Sequence, residues 1–223
     1  MNTKDHELMA RMKISKAVAA MAIPSVISSL VTVVYNMADT FFVGQTRDPL
    51  QVAAVSLTNP IFILFMAVAN MFGMGGSAVA SIALGGQDQK RMRQVSAFIT
   101  YASLVVGVLF AGALLVFMQP ILTLFGVNEE TYAFAKGYVF YISYGAPFII
   151  WSAAASFVVR AEGASREAMI GSMIGTVANI VLDPVLISGF HLGAAGAAVA
   201  TTLGNILASI YYLWYFIKKS SNF

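Results

Sequence analysis

Long apolar runs, broken by short polar stretches, recur six times along the chain. They cover Ile14–Val43, Val52–Ala83, Val95–Met118, Tyr132–Val159, Ala168–Ile187 and Gly193–Ile217. A membrane-crossing helix needs about 20 mostly apolar residues, and each run reaches that length. The first two exceed a single crossing, so tilt, bends or protruding ends are expected there. The runs are continuous rather than alternating, which sets aside the closed β-barrel, the other architecture that satisfies backbone groups in lipid. The pattern predicts an all-α, polytopic membrane protein, a bundle of six transmembrane helices.

Composition agrees. The chain is 59% hydrophobic and 10% charged, where a soluble domain is about 25% charged. With so few charges the solvent for most of the surface is lipid. A net charge of +3 is too small to imply a nucleic-acid partner, and the basic residues sit between apolar runs. Of the 13 Lys and Arg residues, all but Arg47 and Lys136 fall on one side of the predicted bundle. The positive-inside rule then places both termini in the cytoplasm, in a multi-pass protein of the inner (cytoplasmic) membrane. Residues 1–13 read as a cytoplasmic tail, 14–217 as the bundle and 218–223 as the start of a linker. The basic start (Lys4, Arg11, Lys13, Lys16) would suit a cleaved leader, but the apolar stretch that follows outruns the usual 7–15 residues, so it reads as a retained span. His6 falls in the tail and His191 in a loop, both solvated.

Prolines mark expected irregularities. Pro24, inside the first span, removes a helix hydrogen bond and predicts a kink or hinge. Pro60 reads as a helix-start feature, and Pro147 lies within span four. Pro184 follows Asp183 directly, so span five should loosen there and free carbonyls near Asn179 and Val181. Gly171 and Gly175 have helix-contact spacing, and Met66, Met71 and Met74 could face either a cavity or lipid.

The candidate chemistry is a small set of oxygen-bearing side chains. Asp39 closes the first run and Asp183 lies inside the fifth. A carboxylate at membrane depth costs about 2.5–3.5 kcal/mol on insertion scales, so it persists where it is paired, faces water or binds a cation. Tyr35 and Asp39 are spaced i, i+4, as are Asn179 and Asp183, and each pair shares a helix face. Asn36, Thr201, Thr202 and Asn205 add neutral oxygens. Such ligands suit a hard cation or a shared proton, since two carboxylates held close in low dielectric do not both ionise readily. The chain has no cysteine, which removes thiol nucleophiles, disulfides and Cys-ligated zinc. It has no phosphate loop, metalloprotease signature or nucleophile elbow, so neither hydrolysis nor ATP turnover has residues to run on, and no cofactor is implied.

The ordered motifs carry a family likeness. They are Ile23-Pro24 with Tyr35-Asn36-Met37-Ala38-Asp39-Thr40-Phe41-Phe42-Val43-Gly44, then Ala83-Leu84-Gly85-Gly86-Gln87-Asp88, then Val159-Arg160-Ala161-Glu162-Gly163, then Ala178-Asn179-Ile180-Val181-Leu182-Asp183-Pro184, and last Gly193-Ala194-Ala195-Gly196-Ala197-Ala198-Val199-Ala200-Thr201. Together they resemble the amino-terminal half of the multidrug and toxic compound extrusion (MATE) transporters, bacterial branch, over essentially the whole chain. The resemblance implies a twelve-helix protein of two six-helix lobes that exchanges drugs or other amphipathic and cationic small molecules for inward protons or sodium ions. It implies that Asp39, Asn179, Asp183 and Thr201 form a proton- or sodium-coupling site, that Tyr35 lies beside it and that Pro24 is a bending point of the first helix. It further implies a missing carboxy-terminal lobe, so the sequence reads as part of a longer chain. Three other readings compete: a flippase for lipid-linked precursors on a related fold, which a cavity lined by Arg or Lys would favour; a membrane fragment that does not transport; and a passive channel, which would conduct without coupling.

Overall fold

The computed structural model describes residues 14–46 and 48–218. The tail 1–13, Arg47 and residues 219–223 lie outside the described residues, with the readings placed on Lys4, His6, Arg11, Lys13 and Lys219; so do the side chains of Ile14, Lys16, Ala17 and Met21. The described residues form α1 (Ile14–Gly44), α2 (Pro49–Gly85), α3 (Gln89–Val116), α4 (Met118–Leu124), α5 (Glu129–Ala161), α6 (Ser165–Asp183), a π-helical turn (Pro184–Gly189) and α7 (Gly193–Lys218). Six of the helical stretches are long and apolar enough to cross a membrane, as the apolar runs predict.

The helix ends are set by capping chemistry that hydropathy does not register. Asp48 caps α2 by accepting from the Leu50 backbone N–H, with Pro49 in the first turn. Asp88 caps α3 through the Arg91 N–H. Asn128 and Thr131 form a reciprocal capping box at the start of α5. Each of these helices therefore begins a few residues before its apolar run. One expectation is corrected: Pro60 is inside α2, eleven residues past its first residue, not at its start. After α3 the chain breaks at Phe117, inside the third apolar run, and re-forms the short helix α4, with Pro120 near its start, where a proline costs no helical hydrogen bond.

The bundle is organised around α5, which packs against α2, α3 and α7 and is the most buried span. Small residues set these contacts. A β-carbon on Gly107 of α3 would lie 2.5 Å from the Pro147 Cα, so the proline's backbone is accommodated by a missing side chain on its neighbour. On α6, Gly171 faces the Tyr212 ring of α7, and Gly175 faces Gly204; the Gly171–Gly175 spacing is helix packing. The opposite case is α1. It packs mainly on α6 and leaves Val18, Ile23, Val26, Leu30, Val33, Val34, Met37 and Phe41 exposed. A helix that turns so many apolar side chains outward and is held along one edge belongs in lipid or against further protein, and has the fewest contacts to restrain it.

Pro24 lies within the continuous α1. It has no N–H for the Ala20 carbonyl one turn earlier, a built-in weak point. Span five loosens after its acid, as expected: α6 ends at Asp183 and the chain continues as the π turn from Pro184. The carbonyl that loses its donor to Pro184 is that of Ile180, four residues back. Isolated π turns occur often at functional sites.

Candidate ion-coupling site and polar cleft

Asp183 is fully buried at the last residue of α6. The Asn179 amide, one turn earlier, satisfies all its neighbours in one orientation. Its Nδ2 donates to Asp183 Oδ2 at 2.9 Å, and its Oδ1 accepts from the Thr201 backbone N–H at 2.9 Å and the Thr201 hydroxyl at 3.1 Å. The Thr201 hydroxyl lies 3.4 Å from that of Tyr35 on α1. One string of polar groups thus ties α6, α7 and α1 together.

Asp39 is one turn beyond Tyr35 on α1. The two carboxylates lie within Coulombic reach of each other. In both residues Oδ1 is buried without a hydrogen-bond partner among the described residues. A buried carboxylate oxygen with no donor is costly, and it is what a proton or a small hard cation would satisfy. Among the described residues no cluster of three or more His, Cys, Asp or Glu could hold a metal ion. Two acids flanked by amide and hydroxyl oxygens suit a monovalent ion or a proton better than a divalent metal.

The structure brings Tyr35, Asp39, Asn179, Asp183 and Thr201 to one locality. It does not bring Pro24 there: fifteen residues separate it from Asp39, roughly 22 Å along the helix. Thr202, grouped with Thr201 by sequence, turns to α5, where its hydroxyl donates to the Tyr141 carbonyl at 3.2 Å; it is not a member of the site. Asn205 extends the string. Its Nδ2 donates to the Thr201 carbonyl at 2.8 Å, and its Oδ1 accepts from the Ser152 hydroxyl of α5 at 3.0 Å. Sequence reasoning missed Tyr138 of α5. It is 8% exposed and within Coulombic reach of Tyr35, Asp39 and Asp183. Tyr141 and Tyr144 on the same helix are 40% and 56% exposed, and nothing in their spacing marks Tyr138 as the inward one.

Beside these residues a cleft of about 610 Å³ runs between α1, α2, α5, α6 and α7. Tyr35, Asn179 and Thr201 line one end, and Arg160 and Tyr212 line it further along. Its walls combine hydroxyls (Ser28, Thr32, Ser156, Ser172, Thr176) with Phe62, Met66 and Phe157. The Ser28 and Ser172 hydroxyls, 2.6 Å apart, bridge α1 to α6 across it. Of the methionine stripe, Met66 lines the cleft, whereas Met71 and Met74 face outward at 63% and 60% exposure.

Comparison with known proteins gives consistent matches. A model of the MatE family matches residues 24–185. The multidrug export protein MepA of Staphylococcus saprophyticus is 34% identical over 219 residues, covering 97% of this chain and 49% of MepA. A crystal structure of MATE in complex with MaD3S superposes with a TM-score of 0.89 at 29% identity, over 95% of this chain and 47% of the other. An outward-facing multidrug resistance MATE family transporter of the MOP superfamily gives 0.89 at 28% identity, over 96% and 47%. The chain spans about half the length of the curated relatives it matches.

Proposed function

The chain belongs to the MatE family, and on that premise we propose that it is one six-helix lobe of a secondary transporter that exports amphipathic or cationic small molecules in exchange for protons or sodium ions. The observation that carries this reading is the buried Asp183: one oxygen is held by Asn179, the other has no partner among the described residues, and a second carboxylate, Asp39, lies within Coulombic reach on the loosely packed α1. The orientation that fits the basic residues has both ends of the chain in the cytoplasm of a multi-pass inner-membrane protein, with the acidic pair nearer the outer surface.

The mechanism follows from charge and connectivity. With no cation, the two carboxylates repel, and the network Asp183–Asn179–Thr201–Tyr35 ties α1 to α6 and α7. A proton or sodium ion entering from outside satisfies the Asp39 and Asp183 oxygens and removes that repulsion. The α1 segment beyond Pro24 then repacks against α6 and narrows the cleft it lines, displacing cargo outward. The cation can drive this only so far as it binds the two arrangements with different affinity. In this reading Pro24 is the hinge, because its missing hydrogen bond lets α1 change direction without breaking one.

The test is ion-driven transport by the protein in proteoliposomes, with sodium and pH gradients imposed separately. Asp39→Asn and Asp183→Asn should each abolish gradient-driven dye movement while the protein still inserts and folds. Undiminished transport in both variants rejects the reading. A flippase of lipid-linked precursors is a second reading, favoured by one observation: the cleft includes a basic residue, Arg160.

A further inference from the structure

Arg160 is the only ionised side chain among the described residues that line the cleft. It is half-buried in the last turn of α5. Its guanidinium makes no ion pair or hydrogen bond among the described residues; it lies over the Phe157 ring, with Cζ 5.7 Å from the ring centre, and within Coulombic reach of Tyr212. An arginine carries five N–H donors in a rigid fork suited to carboxylate and phosphate. Here the fork is partly removed from water, set over an aromatic face and without an ionic partner among the described residues. Glu162, two residues on, is fully buried, but it accepts from the Tyr215 hydroxyl at 3.0 Å and does not line the cleft. The acids Asp39 and Asp183 lie beyond the other end, past Tyr35 and Thr201. Thr201 and Tyr212, which line the cleft from α7, are eleven residues apart, roughly 16 Å along the helix. The cleft is therefore polarised along its length, with a guanidinium at one end, carboxylates past the other, and between them a wall of hydroxyls interrupted by Phe62, Met66 and Phe157.

We propose that the cleft binds amphipathic molecules through an acidic group, a carboxylate or a phosphate, that docks on Arg160, while the apolar body lies along Phe157, Met66 and Phe62 toward Tyr35. This rests on the reading above only in taking the cleft as the cargo site. It narrows the cargo from cations in general to molecules that carry an acid as well, and a zwitterion with its cationic end toward the aspartates matches both ends. The source of the acid is either a soluble amphiphile or an anionic lipid.

The test is equilibrium binding to the full chain in phosphatidylcholine nanodiscs with no ion gradient, so its outcome is independent of whether coupled export occurs. The probes are a zwitterionic carboxyrhodamine and its methyl ester, which keeps the cation and the dye and loses the acid. Wild type should bind the acid at least as tightly as the ester. Arg160→Gln should weaken the acid by roughly tenfold or more, the loss expected when a charge-assisted pair is removed, and leave the ester unchanged. Arg160→Lys, which keeps the charge and loses the fork, should fall between. Tighter wild-type binding of the ester, or an equal effect of Arg160→Gln on both dyes, overturns the proposal and leaves Arg160 as an interfacial anchor; the wild-type comparison holds even if a variant fails to fold. Repeating the titration with phosphatidylglycerol in the nanodisc assigns the source. Competition that raises the Kd of the acid in wild type but not in Arg160→Gln identifies lipid phosphate at the same site, and an unchanged Kd identifies a soluble acid.

Discussion

Gly204 of α7 lies so close to Gly175 of α6 that a β-carbon on Gly204 would sit 2.6 Å from the Gly175 carbonyl oxygen. This approach of two backbones brings Asn179 and Thr201, each about one turn away, within hydrogen-bonding distance. The same virtual atom would lie 3.3 Å from the Asn179 Cβ, so a single methyl would push on the packing and on the polar network together. Gly204→Ala should destabilise the protein by about 1–3 kcal/mol, the usual cost of overpacking a tight contact. It should also weaken ion-dependent transport more than a cavity mutation of equal cost elsewhere, such as Ile142→Val. Thermal unfolding together with ion-driven uptake checks both.

Asp183→Asn should separate stability from function. The carboxylate is fully buried with one oxygen unpartnered among the described residues, an arrangement that costs folding energy when the group is ionised. An amide of the same shape carries no charge to desolvate. The variant should unfold at the same temperature as wild type or higher, yet lose coupled transport, in the manner of sites where function is held at the expense of stability. A lower unfolding temperature would mean that the carboxylate is a structural hydrogen-bond hub instead.

Thr201 tests whether the hydroxyl or only the packing matters. Thr201→Ser keeps the group that faces both Asn179 and Tyr35. Thr201→Val keeps the shape and removes it, at a cost of about 1 kcal/mol for the lost hydrogen bonds. Serine should preserve the ion dependence of transport and valine should shift the half-saturating ion concentration upward. Thr202→Val should leave it in place, because that hydroxyl bonds the Tyr141 carbonyl outside the site.

Pro24→Ala supplies an N–H to the Ala20 carbonyl and removes a ring clash worth about 3 kcal/mol in a helix interior. Where α1 is straight the variant is stabilised, so it should raise thermal stability and slow transport with little change in dye affinity. Faster transport, or a large change in affinity, argues against a hinge at this position.

Much of this was legible in the chain itself. Six apolar runs dictate six helices because a backbone in lipid must satisfy its own hydrogen bonds. The spacing of Tyr35 with Asp39, and of Asn179 with Asp183, follows from helix periodicity alone, so each pair's shared face needed no structure. Helix ends were less legible, because they depend on caps such as Asn128 with Thr131 and on the break at Phe117 that separates α3 from α4. These are local events of one or two hydrogen bonds that hydropathy cannot register.

What only the tertiary structure decided is which faces meet. Helix periodicity does not tell which of Thr201 and Thr202 bonds Asn179, a choice that the family resemblance makes and the spacing does not, and nothing among Tyr138, Tyr141 and Tyr144 tells which turns toward the acids. Arg160 reads as one more interfacial charge until the cleft beside it is seen. A helix's own periodicity sets the relative angle of its side chains, but its rotation about its axis is set by packing. Here that packing runs through contacts such as Gly175 with Gly204 and Gly107 with Pro147, made between residues far apart in the chain.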